Sequence, residues 1–231
     1  MDFRQTTILD LTQQVQTGQT SCKALVTAAL QNIHRLNPVI NAFCAVDEAR
    51  ALDEAAKVDQ RLAAGEPLPL AGIPFGVKDL EDAQGYITTF GSAFHTEDAP
   101  ALEDSELVRR LRAAGAIVVG KTNTPEFGYK GKTDNVPFGI TKNPWDVTRT
   151  PGGSSGGSSS ALAAGMVPLA TGSDGGGSIR IPAALCGLSG IKTSQGRVPN
   201  GGPKPTGSGL LTVKGPMTRR IRDAAFVLDQ C

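Results

Sequence analysis

The sequence predicts an α/β fold in which a mixed, twisted sheet is covered by helices on both faces. Three observations carry that reading. Residues 6–64 place apolar side chains at spacings of 3 and 4, the period of amphipathic helices. From residue 72 the pattern changes to short apolar runs, Ile73-Pro-Phe-Gly-Val77 and Ala116-Ile-Val-Val119, separated by a helical stretch. That alternation is typical of covered sheets. Two Gly/Ser stretches then run into apolar, helix-competent segments, as strand-to-helix turns do.

The elements follow in order. Ile8, Leu11 and Val15 mark a first helix. Ser21 is placed to cap a second, which carries Leu25, Val26, Ala29, Leu30 and Ile33 on one stripe. Asn37-Pro38 is expected to end it, because the residue before proline avoids the α region. A third helix is expected over 47–64, stopping at Gly65, and Glu66-Pro-Leu-Pro-Leu is a loop. Residues 73–77 read as a buried strand that delivers Lys78-Asp79. Residues 104–114 read as an amphipathic helix ending at Gly115, and 116–119 as a buried strand. The Gly/Ser stretches 151–160 and 171–178 read as loops flanking a short strand at Val167-Pro-Leu-Ala170. Residues 193–216, rich in Gly and Pro, read as mostly loop, and 218–229 as a last helix. Residues 1–231 are expected to form one domain, with 1–65 a helical segment and 66–231 the α/β core.

Composition narrows the function classes. The 231 residues include 23 Lys+Arg against 22 Asp+Glu, a net charge of +1, so no global field favours nucleic acid or an anionic membrane. Hydrophobic residues at 39% and charged residues at 19% exclude the disordered class. The four cysteines, Cys22, Cys44, Cys186 and Cys231, lack CxxC spacing, which argues against a zinc ribbon or a disulfide scaffold. The N-terminus has no apolar core of a secretory signal, and no apolar stretch reaches membrane-spanning length. A reduced, cytoplasmic setting is the expectation.

Two motif matches fail on context. Gly115-Ala-Ile-Val-Val-Gly120-Lys121-Thr122 fits GxxxxGK[ST]. A phosphate-binding loop, however, needs a strand before it, a flexible middle and a helix after the Lys. Here a helix precedes, β-branched residues fill the middle and Thr124-Pro125 follows, so a buried strand is the better reading. Gly152-Gly-Ser154-Ser-Gly156 fits GxSxG, but the Ser-Asp-His chain order of α/β-hydrolases is impossible. The two histidines, His34 and His95, both lie upstream. His34 is expected at a helix surface and His95 in an exposed loop. Neither has a neighbourhood suited to a metal.

The Gly/Ser stretches survive as a constellation. Glycines there let backbone N–H groups converge on a ligand. Gly175-Gly176-Gly177 before Ser178 suits an oxyanion hole beside a serine nucleophile. Without a usable His the candidate base is Lys, which works only when burial lowers its pKa. Lys78 follows an apolar strand, where its end could be desolvated. A solvated Lys, or one paired with Asp79, is the alternative, and local pattern alone favours it.

These residues resemble the amidase signature family. The resemblance runs through AGIPFGVKD (71–79), GAIVVGKTNTPEFG (115–128), FGITKNPWD (138–146), TPGGSSGGSSSALAAGMVPLATGSDGGGSIRIPAALCGLSGIK (150–192) and GPMTR (215–219). It implies the amidase signature fold and a Ser-cisSer-Lys triad: Ser178 as nucleophile, Ser154 as the bridging serine after a cis peptide bond, Lys78 as base. Ser155 is Ser154's rival and is expected to be structural. The resemblance further implies cleavage of a small-molecule amide through an acyl-enzyme, with no metal or organic cofactor. Gly175, Gly176, Gly177 and Ser178 are the candidate oxyanion donors. Many relatives read Asp-Thr-Gly-Gly-Ser where this chain reads Asp174-Gly-Gly-Gly-Ser178. Family members are usually longer, so the chain is expected to lack a C-terminal portion that supplies further strands and much of the pocket. A shortened sheet exposes an edge and apolar patches, which a homo-oligomer would cover. The rival functions are the amidase-like component of a glutamyl-tRNA amidotransferase and an inactive remnant that acts as a binding module.

Overall fold

Helix starts follow the local chemistry. In the computed structural model, which describes residues 1–199 and 211–231, Thr7 opens α1 (Ile8–Gln16) with a capping box. Its hydroxyl accepts the Asp10 N–H at 3.0 Å, and the Asp10 carboxylate accepts the Thr7 N–H. Ser21 caps α2 (Cys22–Ile40) by accepting the Ala24 N–H at 3.1 Å. The helix runs past the expected stop at Asn37-Pro38, because the Asn37 side chain ties its last turn to the next strand. Asn37 Oδ1 accepts the Ala42 and Phe43 N–H groups, and its Nδ2 donates to the Phe43 carbonyl. The stop is Asn41, in the left-handed conformation at φ 55°. That turn feeds β1 (Phe43–Val46), a strand the sequence did not signal, and then α3 (Glu48–Ala63).

The sheet core follows with β2 (Pro74–Lys78), α4 (Glu106–Ala113) and β3 (Ile117–Thr122). β3 extends beyond the expected 116–119 and includes Lys121, so the GxxxxGK[ST] match is a fully buried strand. A two-stranded hairpin, β4 (Asp134–Asn135) and β5 (Gly139–Ile140), precedes α5 (Gly156–Ala163). β6 (Leu169–Asp174), α6 (Arg180–Cys186), β7 (Ser189–Gly190), β8 (Val213–Thr218) and α7 (Ile221–Leu228) complete the described chain. The sheet order is β1-β3-β2-β6-β8-β7. β3, β2 and β6 are parallel neighbours, while β1 and β8 run antiparallel to theirs. This is the mixed sheet the sequence predicts, with helices on both faces and one apolar core cluster from Phe3 to Cys231. Among the described residues, no helix is long and apolar enough to cross a membrane.

Three loop expectations are corrected. Half of the first Gly/Ser stretch is helix: α5 begins at Gly156, and every residue of it is buried. Small residues are needed there because the backbone packs hard against its neighbours. A Cβ on Gly157 would sit 2.4 Å from the Asn123 backbone. Serine hydroxyls replace the missing apolar stripe, with Ser158 donating to the Thr171 carbonyl and Ser160 to the Lys142 carbonyl. The second stretch is strand as far as Asp174, because β6 is paired on both sides. Within 193–216, residues 213–216 belong to β8, and residues 200–210 lie outside the described residues. Pro216 is tolerated because β7 pairs only with Met217 and Thr218, so the sheet edge lies beside it.

Candidate active site

The end of β2 delivers Lys78 into the interior, fully buried. Its backbone N–H donates to Thr171 Oγ1 on β6 at 2.9 Å. Two residues along the same face of β6, Ser173 turns its hydroxyl to the lysine. Lys78 Nζ lies 2.8 Å from Ser154 Oγ, 2.9 Å from Ser155 Oγ and 3.0 Å from Ser173 Oγ. Among the described residues, three hydroxyls and no carboxylate contact the amine. Burial lowers its pKa to about 7, against the opposing pull of the Glu81 and Asp174 carboxylates. A neutral amine has two N–H donors and one lone pair, which matches three hydroxyls, two accepting and one donating its proton.

The neighbouring carboxylate expected as the alternative partner turns elsewhere. Asp79 pairs with Lys121 at 3.0 Å and accepts from the Thr89 hydroxyl. Lys121 Nζ also donates to the Glu81 carbonyl and to Thr88 Oγ1.

Ser154 follows a cis peptide bond at Gly153–Ser154. Only glycine fits at 153, since a Cβ there would lie 2.9 Å from the backbone of Lys130 and Lys132. Thr124 Oγ1 donates to the Ser154 carbonyl at 3.0 Å. Distance to Lys78 does not separate Ser154 from Ser155. Their other contacts do: the Ser155 hydroxyl accepts the Ser173 N–H at 3.4 Å, whereas the Ser154 hydroxyl lies against Gly128, where a Cβ would come within 3.3 Å of it.

Ser178 is half-buried, and its carbonyl accepts the Ser155 N–H at 3.1 Å. No hydrogen bond links its hydroxyl to Ser154 or Lys78. The turn that carries it is built on Asp174. This carboxylate accepts the N–H groups of Gly177, Ile179 and Arg180 and a two-pronged contact from the Arg180 guanidinium, both prongs at 2.9 Å. Burial pushes its pKa up, but these bonds outweigh burial and hold the carboxyl well below the usual range. Gly177 therefore spends its N–H on Asp174 at 2.8 Å, while Gly175 and Gly176 are exposed.

Sequence reasoning missed Thr171, Ser173 and the anchoring role of Asp174. The alternation Thr171-Gly-Ser173 was the available signal, masked by reading the stretch as loop. His95, expected exposed, is half-buried, with its ring edge-on to Phe90 and Phe127. The four cysteines are free.

A family model described as Amidase matches residues 24–231. The chain belongs to the amidase family. It is 49% identical over 212 residues to AmiB2 of Mycobacterium tuberculosis, a protein named as an amidase, covering 92% of this chain and 45% of that one. It is 45% identical over 224 residues to a glutamyl-tRNA(Gln) amidotransferase component of Roseiflexus castenholzii, covering 97% of this chain and 45% of that one. The crystal structure of a bacterial aryl acylamidase of the amidase signature family superposes with a TM-score of 0.90 at 35% identity, covering 96% of this chain and 46% of that one. The chain thus spans just under half the length of the relatives it matches.

Proposed function

We propose that the protein hydrolyses a small carboxylic amide through an acyl-enzyme on Ser178. The observation that carries this is the buried Lys78 amine, 2.8 Å from Ser154 Oγ and without a carboxylate partner. In the proposed sequence Ser178 Oγ attacks the carbonyl carbon. Its proton passes to Ser154 while the Ser154 proton passes to Lys78 Nζ. The tetrahedral oxyanion collapses, the C–N bond breaks, and the departing amine takes a proton back through Ser154. Water then repeats the sequence on the ester, releasing the acid and restoring Ser178. Net, amide and water give acid and amine.

The relay requires the Ser178 hydroxyl to reach Ser154. Catalytic hydrogen bonds often tighten only with substrate in place. With the Gly177 N–H engaged by Asp174, the oxyanion donors in this reading are drawn from Gly175, Gly176 and Ser178, and Gly177 shapes the turn. The reading treats 1–231 as one domain in a cytoplasmic setting and leaves a homo-oligomer as the arrangement expected if the sheet edge is open.

A second reading, a component of a glutamyl-tRNA amidotransferase, is favoured by the 45% identity to that class. Intact-mass spectrometry after exposure to a fluorophosphonate, with Ser178→Ala in parallel, tests the first. A single adduct that Ser178→Ala abolishes supports it, and a folded protein with no adduct contradicts it. Hydrolysis of simple amides without partner proteins separates the first reading from the second.

A further inference from the structure

Among the described residues, three lysines are buried in this sheet: Lys78 on β2, Lys121 on β3 and, across β6, Lys214 on β8. Two carboxylates from the turn after β2 are buried with them, Asp79 and Glu81. Lys121 holds Asp79. Lys214 Nζ holds Glu81 Oε2 at 2.9 Å, and Ser105 Oγ donates to the same oxygen at 2.7 Å. β8 sets this up through its register, which puts Lys214 opposite Ser173, itself a contact of Lys78. Glu81 lies one turn from Lys78, with its N–H donating to the Lys78 carbonyl at 2.9 Å. Two of the three lysines are thereby matched by two carboxylates, and Lys78 has only hydroxyls.

We propose that Lys214 is a positioning residue for the amide chemistry: by occupying Glu81 it denies Lys78 a carboxylate partner and so keeps that amine free to accept a proton. The inference rests on the reading of Lys78 as base. The charged groups that face Lys78 are all placed. Glu81 is held by Lys214. Asp79, the adjacent residue, is held by Lys121. Asp174, on β6, is held by Arg180 and by Lys192, which donates to its backbone carbonyl at 2.6 Å. From the turn that leads into α5, the Ser154 and Ser155 hydroxyls face the amine. Glu81 is the strongest of the carboxylates acting to keep Lys78 protonated, so its neutralisation matters most. Lys214 touches no reacting atom in this scheme.

The test follows the rate of Ser178 phosphonylation against pH in the protein, in Lys214→Met, in Glu81→Gln and in the double variant. Lys214→Met should move the rising limb to higher pH by about one unit, the scale of an unscreened carboxylate near an amine. Glu81→Gln should move it to lower pH. In the Glu81→Gln background, adding Lys214→Met should not carry the limb above that of the parent. Lys214→Arg should restore the parent limb. If Lys214→Met does not fold, Lys214→Gln, which keeps a polar group against Glu81 without the charge, takes its place, and a parental limb in that variant would overturn the inference. Identical limbs in folded variants would overturn the inference while leaving Lys78 as base. Labelling that survives Lys78→Met, or a parent that is not labelled, would overturn the reading of Lys78 and the inference with it.

Discussion

Lys78 and Lys121 lie fully buried on neighbouring parallel strands, with Lys121 opposite Val77 and Lys78 opposite Thr122. Their surroundings differ in one respect. Lys121 meets a carboxylate, a backbone carbonyl and a hydroxyl, while Lys78 meets three hydroxyls. A buried ammonium needs a counter-charge, and without one it gives up its proton instead. The same residue type is therefore a structural cation in one place and a candidate base one strand away. The partner, rather than burial, makes the difference.

Four substitutions sharpen that contrast. Lys78→Met should lower the rate of Ser178 phosphonylation by about 10²–10⁴-fold, the usual contribution of a general base, with the circular dichroism spectrum unchanged. Lys121→Met should act on stability. Removing one member of a buried pair costs about 3–5 kcal/mol, which urea denaturation would detect as a lower midpoint. A smaller effect is the pH dependence of stability. Lys78 is neutral in the folded protein above about pH 7, whereas an unfolded lysine stays charged to about pH 10.4. The unfolded state binds the extra proton across that window, so stability should rise with pH there, on the order of 1 kcal/mol per unit. Lys78→Met should therefore stabilise the protein most below pH 7 and progressively less toward pH 10. Denaturation at pH 6 and pH 9 checks this, and a constant difference would contradict it. Ser155→Ala should have the smallest effect, below about tenfold in labelling rate if one orienting hydrogen bond worth about 1 kcal/mol is lost. Ser154→Ala should approach the Lys78→Met loss, and equal effects at the two serines would remove the distinction between them.

Legibility in the sequence followed the range of the interactions. α1, α2, α3 and α4 declare themselves through capping residues and apolar stripes, signals contained within a few residues. β2 and β3 declare themselves as short, mainly apolar runs. α5 does not, because a helix buried on all sides has no amphipathic period, and Gly156-Gly-Ser-Ser-Ser160 looks like linker. β6 and β8 are rich in Thr, Gly, Ser and Pro, and their pairing across the sheet makes them strands. The site shows the same division. Lys78, Ser154 and Ser178 came from a family resemblance. Ser173 and Lys214 reach their partners across 95 and 133 residues, distances at which no local pattern places side chains together.

The central claim is that Lys78 works as a neutral amine near pH 7. The most direct measurement is the phosphonylation rate of Ser178 as a function of pH, from pH 5 to pH 11, in the parent protein and in Lys78→Met. The account predicts a single rising limb centred near pH 7 that disappears in the variant. A limb centred near pH 10, where an ordinary lysine titrates, or a limb that Lys78→Met leaves in place, would contradict it.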